Sequence, residues 1–220
     1  MNSKFIKKIL LVFLFGIAFA YIEAAVVAYL RTIYYPTGFR FPLVMHYDRN
    51  LTIEFFRELA TLVILFSSSA LLSRKFWEGF GYFVIIFGVW DIFYYVWLEV
   101  IIGWPASEFD PDILFLIPVP WIGPVLSAVL ISFTMIVIGV DITRLFYKGY
   151  NVKPGLVHWA LVLIGSALIF YSYMSDFGAA FYQQYPKPYN WFLLAGGIIL
   201  FVIAYIHLHR KTVSGKAELA

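Results

Sequence analysis

The stretch 87-FGVWDIFYYVWLEV-100 decides the fold class, because it has the apolar composition of a membrane span yet carries the carboxylates of Asp91 and Glu99. The whole chain has the same character: of its 220 residues, 62% are hydrophobic, 21% are aromatic and only 13% are charged. Soluble domains have about 45–50% apolar and about 25% charged residues. We therefore predict an all-α integral membrane protein, with residues 1–220 forming a single polytopic membrane domain.

Outward from this stretch, six segments are long enough to cross a bilayer, which takes about 20 mostly apolar residues. They cover residues 9–33, 52–73, 79–103, 123–146, 155–175 and 189–208. Basic residues concentrate in cytoplasmic loops. The basic clusters of this chain lie before the first segment, after the second, between the fourth and fifth, and after the sixth. This pattern predicts a six-transmembrane-helix bundle in the cell membrane, with both termini cytoplasmic.

The first segment has a second interpretation as a signal peptide. The run KKILLVFLFGIAFA, residues 7–20, has a basic start, an apolar stretch and a possible cleavage site at Ala18-Phe19-Ala20. However, the apolar pattern continues through AAVVAYL, residues 24–30, and its length suits a full span. We favour an uncleaved span.

The acidic residues concentrate in the half of the bundle that this topology places outside. With a rise of about 1.5 Å per residue, Glu23 and Asp91 lie near the midplane. A charge that faces lipid at this depth costs a few kcal/mol or more, so charged helix faces should point into the bundle. In the second segment Glu54, Arg57 and Glu58 share such a face. We therefore predict an outward-facing polar pocket that binds a lipid-like or ionic ligand.

The third segment contributes a face of its own, with Asp91, Tyr95 and Glu99 spaced four residues apart. The candidate acid/base or metal-binding carboxylates are Asp91, Glu23, Glu54 and Glu58. The candidate substrate-binding residues are Arg57, as an anion clamp, with Tyr95, Glu99 and Asp112. The alternative is structural: Arg57 neutralises its helical neighbours, and Asp91 bonds tyrosine hydroxyls to fix the packing of the helices.

The segment WPASEFDPDILFLIPVPWIGPV, residues 104–125, interrupts the apolar pattern before the fourth span. Asp110 can cap a short helix over residues 111–117, which Pro118 and Pro120 would end. One interpretation is a broken or re-entrant helix over the pocket, with Asp112 pointing inward. The other is a helix lying flat in the interface, anchored by Trp104 and Trp121.

Histidines offer a weaker, separate hypothesis. His158 begins the fifth segment and His207 ends the sixth, so adjacent antiparallel spans would bring them together. Such a pair could ligate haem b or a metal, or could simply belong to a basic helix end. His46, near Asp48, is a weak candidate for a metal ligand or base at the outer pocket. A divalent metal is thus one possible cofactor, and the absence of cysteine excludes thiolate sites.

Familiar catalytic motifs are absent from the sequence: there is no HExxH, GxSxG, P-loop or glycine-rich dinucleotide loop. The basic residues form no patch with interleaved aromatics, so nucleic acid is not an expected partner. Three classes remain: an enzyme acting on outer-leaflet lipid or lipid-linked substrate, a proton- or cation-coupled carrier, and a non-catalytic subunit among other membrane subunits. We favour a ligand-binding pocket, with the enzyme first and the non-catalytic subunit close behind. The carrier comes last, because a carrier needs a polar pathway to both sides.

Overall fold

The computed structural model describes residues 3–43 and 48–217. This part of the chain forms helices and one two-stranded hairpin. In chain order these are α1 (Ser3–Tyr34), α2 (Arg49–Leu71), α3 (Phe76–Ile102), β1 (Pro111–Phe115), β2 (Trp121–Pro124), α4 (Val125–Tyr147), α5 (Leu156–Met174), α6 (Gly178–Phe181) and α7 (Trp191–Ala217).

The helices α1, α3, α4, α5 and α7 are long and apolar enough to cross a membrane. This confirms the membrane-type helical class and five of the predicted spans by length and composition. The second predicted segment is also a helix, α2, but Glu54, Arg57 and Glu58 make it too polar to count with the others. That α2 crosses the bilayer, and that both termini are cytoplasmic, stay predictions.

Helix α3 is the centre of the bundle, since it packs against α1, α2 and α4. Helices α5 and α7 pack on each other and join the rest through α4 and β2. The hairpin, the C-termini of α1 and α3 and the N-terminus of α2 lie at one end, which we call the hairpin end. The N-terminus of α1 and the C-terminus of α7 lie at the opposite end, which we call the basic end.

Glycines let α3 and α4 approach until their backbones touch. A Cβ atom at Gly88 would lie 2.5 Å from the carbonyl oxygen of Ser132, and one at Gly139 would lie 2.7 Å from that of Gly81. Small residues allow this close contact between membrane helices. The contact positions the site, because it brings the Ser132 hydroxyl within 2.8 Å of Asp91.

An apolar core fills the middle of the bundle between α1, α2 and α3. Val12, Leu65, Ile86 and Val89 belong to it, and each is at most 2% exposed. Along all three helices these residues lie on the basic-end side of Glu23, Glu58 and Asp91. The core therefore separates the charged part of the interior from the basic end.

The predicted short helix over residues 111–117 is wrong, because residues 111–115 form strand β1, which pairs antiparallel with β2. A seven-residue helix would leave most of its backbone groups without partners, and an apolar environment makes that costly. The hairpin satisfies them across the ladder, with Asp112 opposite Gly123. Asp110 caps the preceding turn instead of a helix, accepting hydrogen bonds from the backbone N–H of Ala106 and Ser107 at 3.0 and 3.1 Å.

Candidate functional site

A cavity of about 150 Å³ lies between α1, α2, α3 and the hairpin, and it is partly open at the hairpin end. We call it the carboxylate cavity. All the predicted catalytic and substrate-binding residues except Glu99 line it: Glu23, Glu54, Arg57, Glu58, Asp91, Tyr95 and Asp112. The structure thus brings together residues from four separate segments of the chain. Their role in binding stays a prediction.

Glu99 is predicted at this site, but it lies exposed on α3 outside the carboxylate cavity. The reason is helical geometry. At 3.6 residues per turn, each step of four residues rotates the side chain by about 40°. Two steps from Asp91 therefore move Glu99 off the face that Asp91 and Tyr95 present to the interior.

Arg57 is the centre of one ionic cluster. Its Nε donates a hydrogen bond to Glu54 at 2.8 Å, its Nη2 also contacts Glu54, and its Nη1 contacts Glu23 on α1. The Thr61 hydroxyl donates to the other oxygen of Glu23 at 3.1 Å. Each guanidinium nitrogen of Arg57 therefore already contacts a carboxylate, which weakens the hypothesis that Arg57 clamps an anion.

Arg31 forms a second ionic cluster, which the sequence did not predict. Its Nη2 donates to Asp112 at 2.8 Å, and the two side chains are 7% and 1% exposed. The guanidinium lies between the rings of Phe39 and Trp104, 3.9 and 3.8 Å from their centroids. Arg31 follows Glu23 on α1 by eight residues, the same spacing that takes Glu99 away from the face of Asp91, so spacing alone could not assign Arg31 to the interior.

Two carboxylates of the cavity have polar contacts but no cationic partner. Glu58 accepts a hydrogen bond from the backbone N–H of Leu116 at 2.9 Å, and Asp91 accepts one from the Ser132 hydroxyl. Within residues 3–43 and 48–217, no basic side chain forms an ion pair with either of them. Glu58 and Asp91 are therefore the carboxylates of the cavity that remain available to a bound ligand.

The hairpin end holds a second, wider cavity of about 1230 Å³, which we call the open cleft. Arg31, Tyr35 and Phe39 line both cavities and so form a wall between them. Aromatic side chains also line the carboxylate cavity itself, among them Trp90, Tyr94 and Tyr95.

The histidines that the sequence offers as haem or metal ligands do lie together at the basic end. The rings of His158 and His207 stack with centroids 4.8 Å apart and 13° between their planes. Axial haem ligands approach the iron end-on from opposite sides, so face-to-face stacking does not fit this role. The described residues contain no group of three or more metal-binding side chains. His46 lies outside the described residues.

A polar cluster that the sequence did not predict joins α4 and α7 near the basic end. Nδ1 of His209 lies 2.8 Å from Asp141, and the Tyr205 hydroxyl bonds the same carboxylate oxygen. The side chains of Asp141 and His209 are 24% and 39% exposed. This cluster is therefore more exposed than the carboxylate cavity.

No protein-family model, curated protein or solved structure matches this chain. Its class consequently follows from the fold and the site alone. It is a helical, multi-span, membrane-type protein with charged residues buried between its helices.

Proposed function

We propose that this protein binds a small cation in the carboxylate cavity, at the face of the membrane opposite the cytoplasm. One observation carries the proposal. The described residues that line the cavity supply the carboxylates of Glu23, Glu54, Glu58, Asp91 and Asp112 against the guanidiniums of Arg31 and Arg57. Both guanidiniums already bind carboxylates within the cavity. An incoming cation therefore meets carboxyl groups that no basic side chain of the described residues neutralises.

Glu58 and Asp91 are the expected contacts of this cation. An ionised carboxylate away from water is costly unless a cation and hydrogen bonds compensate it. Each of the two has a single neutral donor. A protonated amine or a metal ion would supply the missing charge, and the rings of Tyr94 and Tyr95 would support an organic cation.

The enzyme hypothesis becomes an extension of this binding role. Glu58 and Asp91 would act as acid and base on a bound substrate that carries an amine. The carrier hypothesis gains less support, because Leu65, Ile86 and Val89 close the cavity toward the basic end. A carrier would need a second arrangement in which that core opens.

Thermal melts and calorimetry on the purified chain in a neutral detergent test the proposal. The probes are methylammonium, ethanolamine, Mg²⁺, Ca²⁺ and inorganic phosphate. A bound ligand at 100 times its Kd should stabilise the fold by about 2.7 kcal/mol. We expect at least one of the cations to do so, and to a greater extent than phosphate.

Asp91→Asn and Glu58→Gln should each weaken cation binding at least about tenfold, since each removes a charge-assisted contact. Both amides can keep their neutral hydrogen bonds, so the melting temperatures should stay near that of the parent chain. The matched control is Glu99→Gln, which removes a carboxylate from the same helix α3 outside the cavity. The proposal fails if binding per folded molecule is unchanged in the Asp91 and Glu58 variants.

A further inference from the structure

We infer that the cation is one end of a zwitterion, a primary ammonium joined to a phosphate, as in phosphoethanolamine and in the lipids that carry it. This inference rests on the proposed function and specifies its ligand. The ammonium would enter the carboxylate cavity, and the phosphate would remain in the open cleft.

The first argument compares the charged groups of the two cavities. The carboxylate cavity presents Glu58 and Asp91, which have no ion-pair partner among the described residues. The open cleft presents Arg40, which is exposed and makes no ion pair with the described residues, whereas its carboxylate Asp110 is held by two backbone N–H groups of its own turn. Lys187 also lines the open cleft, but its Nζ lies 3.9 Å from Oδ1 of Asp176 and so already has an acidic partner. A ligand that matches both cavities is therefore positive at its inner end and negative at its outer end.

The second argument is the wall that the two cavities share. Arg31 lies in this wall, is 6% exposed, and uses Nη2 to bind Asp112. Its Nη1 has no hydrogen-bond partner among the described residues. Phe39, whose ring covers the Arg31 guanidinium, is the chain neighbour of Arg40. Arg31 and Arg40 both line the open cleft, so a phosphate there would face two guanidiniums, the side chains that best match its geometry.

The third argument concerns the kind of ammonium and phosphate. A primary ammonium has three N–H donors for carboxylate oxygens, whereas a quaternary one has none. Glu58 and Asp91 each accept only one hydrogen bond from the described residues, so they favour the primary form. The same headgroup chemistry reaches the hairpin end either as a membrane lipid or as a free compound.

Calorimetry at low ionic strength tests the inference with ethanolamine, O-phosphoethanolamine and phosphocholine as probes. We expect O-phosphoethanolamine to bind at least about tenfold more tightly than ethanolamine, because the phosphate adds charge-assisted hydrogen bonds. We expect phosphocholine to bind less tightly than O-phosphoethanolamine.

Arg40→Gln should remove most of the gain from the phosphate and leave ethanolamine binding unchanged. Arg40 is exposed, so the variant should fold. The matched control is Arg49→Gln, since Arg49 is an exposed arginine at the hairpin end that lines neither cavity.

Native mass spectrometry from nanodiscs of mixed ethanolamine and choline lipids shows whether the ligand is a membrane lipid or a free compound. Preferential retention of the ethanolamine lipid supports a lipid, and binding of the soluble compound alone supports a free ligand.

The outcomes separate this inference from the proposed function. If ethanolamine binds as tightly as O-phosphoethanolamine, or if Arg40→Gln weakens both equally, the zwitterion is wrong and the cation cavity stands. Binding of Mg²⁺ or Ca²⁺ without either amine leads to the same conclusion. If none of the cations and zwitterions binds, both proposals are wrong.

Discussion

The carboxylate cavity and the Asp141 cluster use the same kinds of side chain in two very different environments. In the cavity Glu23, Glu58 and Asp112 are 8%, 7% and 1% exposed. In the Asp141 cluster, the side chains of Asp141, His209 and the nearby Arg144 are 24%, 39% and 50% exposed. The contacts of the Asp141 cluster are the more exposed ones, whereas in the cavity Glu23 and Asp112 depend on the fixed cations Arg57 and Arg31.

The difference teaches where polar contacts restrict sequence change. In the Asp141 cluster, a substitution should cost little stability, because the contact that it removes is largely exposed. At the cavity, the loss of Arg31 or Arg57 strands a carboxylate that no other basic side chain of the described residues compensates. Three experiments test this contrast, in decreasing order of expected effect.

The largest effect is the all-or-none labelling of introduced cysteines from one side of the membrane or the other. Because the chain has no cysteine, single substitutions Ser3→Cys, Thr37→Cys and Lys75→Cys give clean labelling sites. With a membrane-impermeant thiol reagent, we expect Thr37 to label from outside and Ser3 and Lys75 only after the cytoplasmic face is opened. Labelling of Thr37 and Lys75 from one side would mean that α2 does not cross the bilayer.

The next effect is energetic. Arg57→Met removes the cation that Glu23 and Glu54 share, and we expect it to cost about 3–5 kcal/mol of unfolding free energy. Arg144→Met is the control, because Arg144 is half exposed and 4.0 Å from Asp141, and we expect a change within about 0.5 kcal/mol. Denaturant titration in mixed micelles measures both.

Adding Glu23→Gln to Arg57→Met sharpens this result. If the loss comes from a stranded carboxylate, the double variant should recover part of the stability. Equal losses from Arg57→Met and Arg144→Met would contradict the contrast between the two regions.

The smallest change in stability should come from the Asp141 cluster itself. Tyr205→Phe deletes one hydrogen bond to Asp141, and we expect a loss of about 0.5–1.5 kcal/mol in the same titration. Tyr29→Phe serves as its control, since Tyr29 is 70% exposed on α1. A loss as large as that of Arg57→Met would show that the Asp141 cluster is as tightly constrained as the cavity.

The sequence predicts features that depend on one helix at a time. Apolar length identifies the helices, and the spacing of Glu54, Arg57 and Glu58 shows that they share a face. The cost of charge in hydrocarbon then turns this face inward. Periodicity gives only an angle, however, and Glu99 lies beyond the range where a four-residue step keeps to one face.

Features that depend on distant partners were not predictable in the same way. Arg31 binds a carboxylate 81 positions away, and His209 one that is 68 positions away. The hairpin also escaped prediction, because β1 gains its backbone partners only when β2 folds back beside it. The prolines that would have ended the predicted short helix lie instead in the turn between these strands.

The apolar core that closes the carboxylate cavity on the basic side has a consequence for how the protein works. With Leu65, Ile86 and Val89 at most 1% exposed, the cavity is closed toward the basic end and partly open at the hairpin end. Under the proposed function, its occupancy would follow the cation concentration at the hairpin end and would not depend on the other side. The protein would then report the state of one compartment without moving its ligand across the membrane.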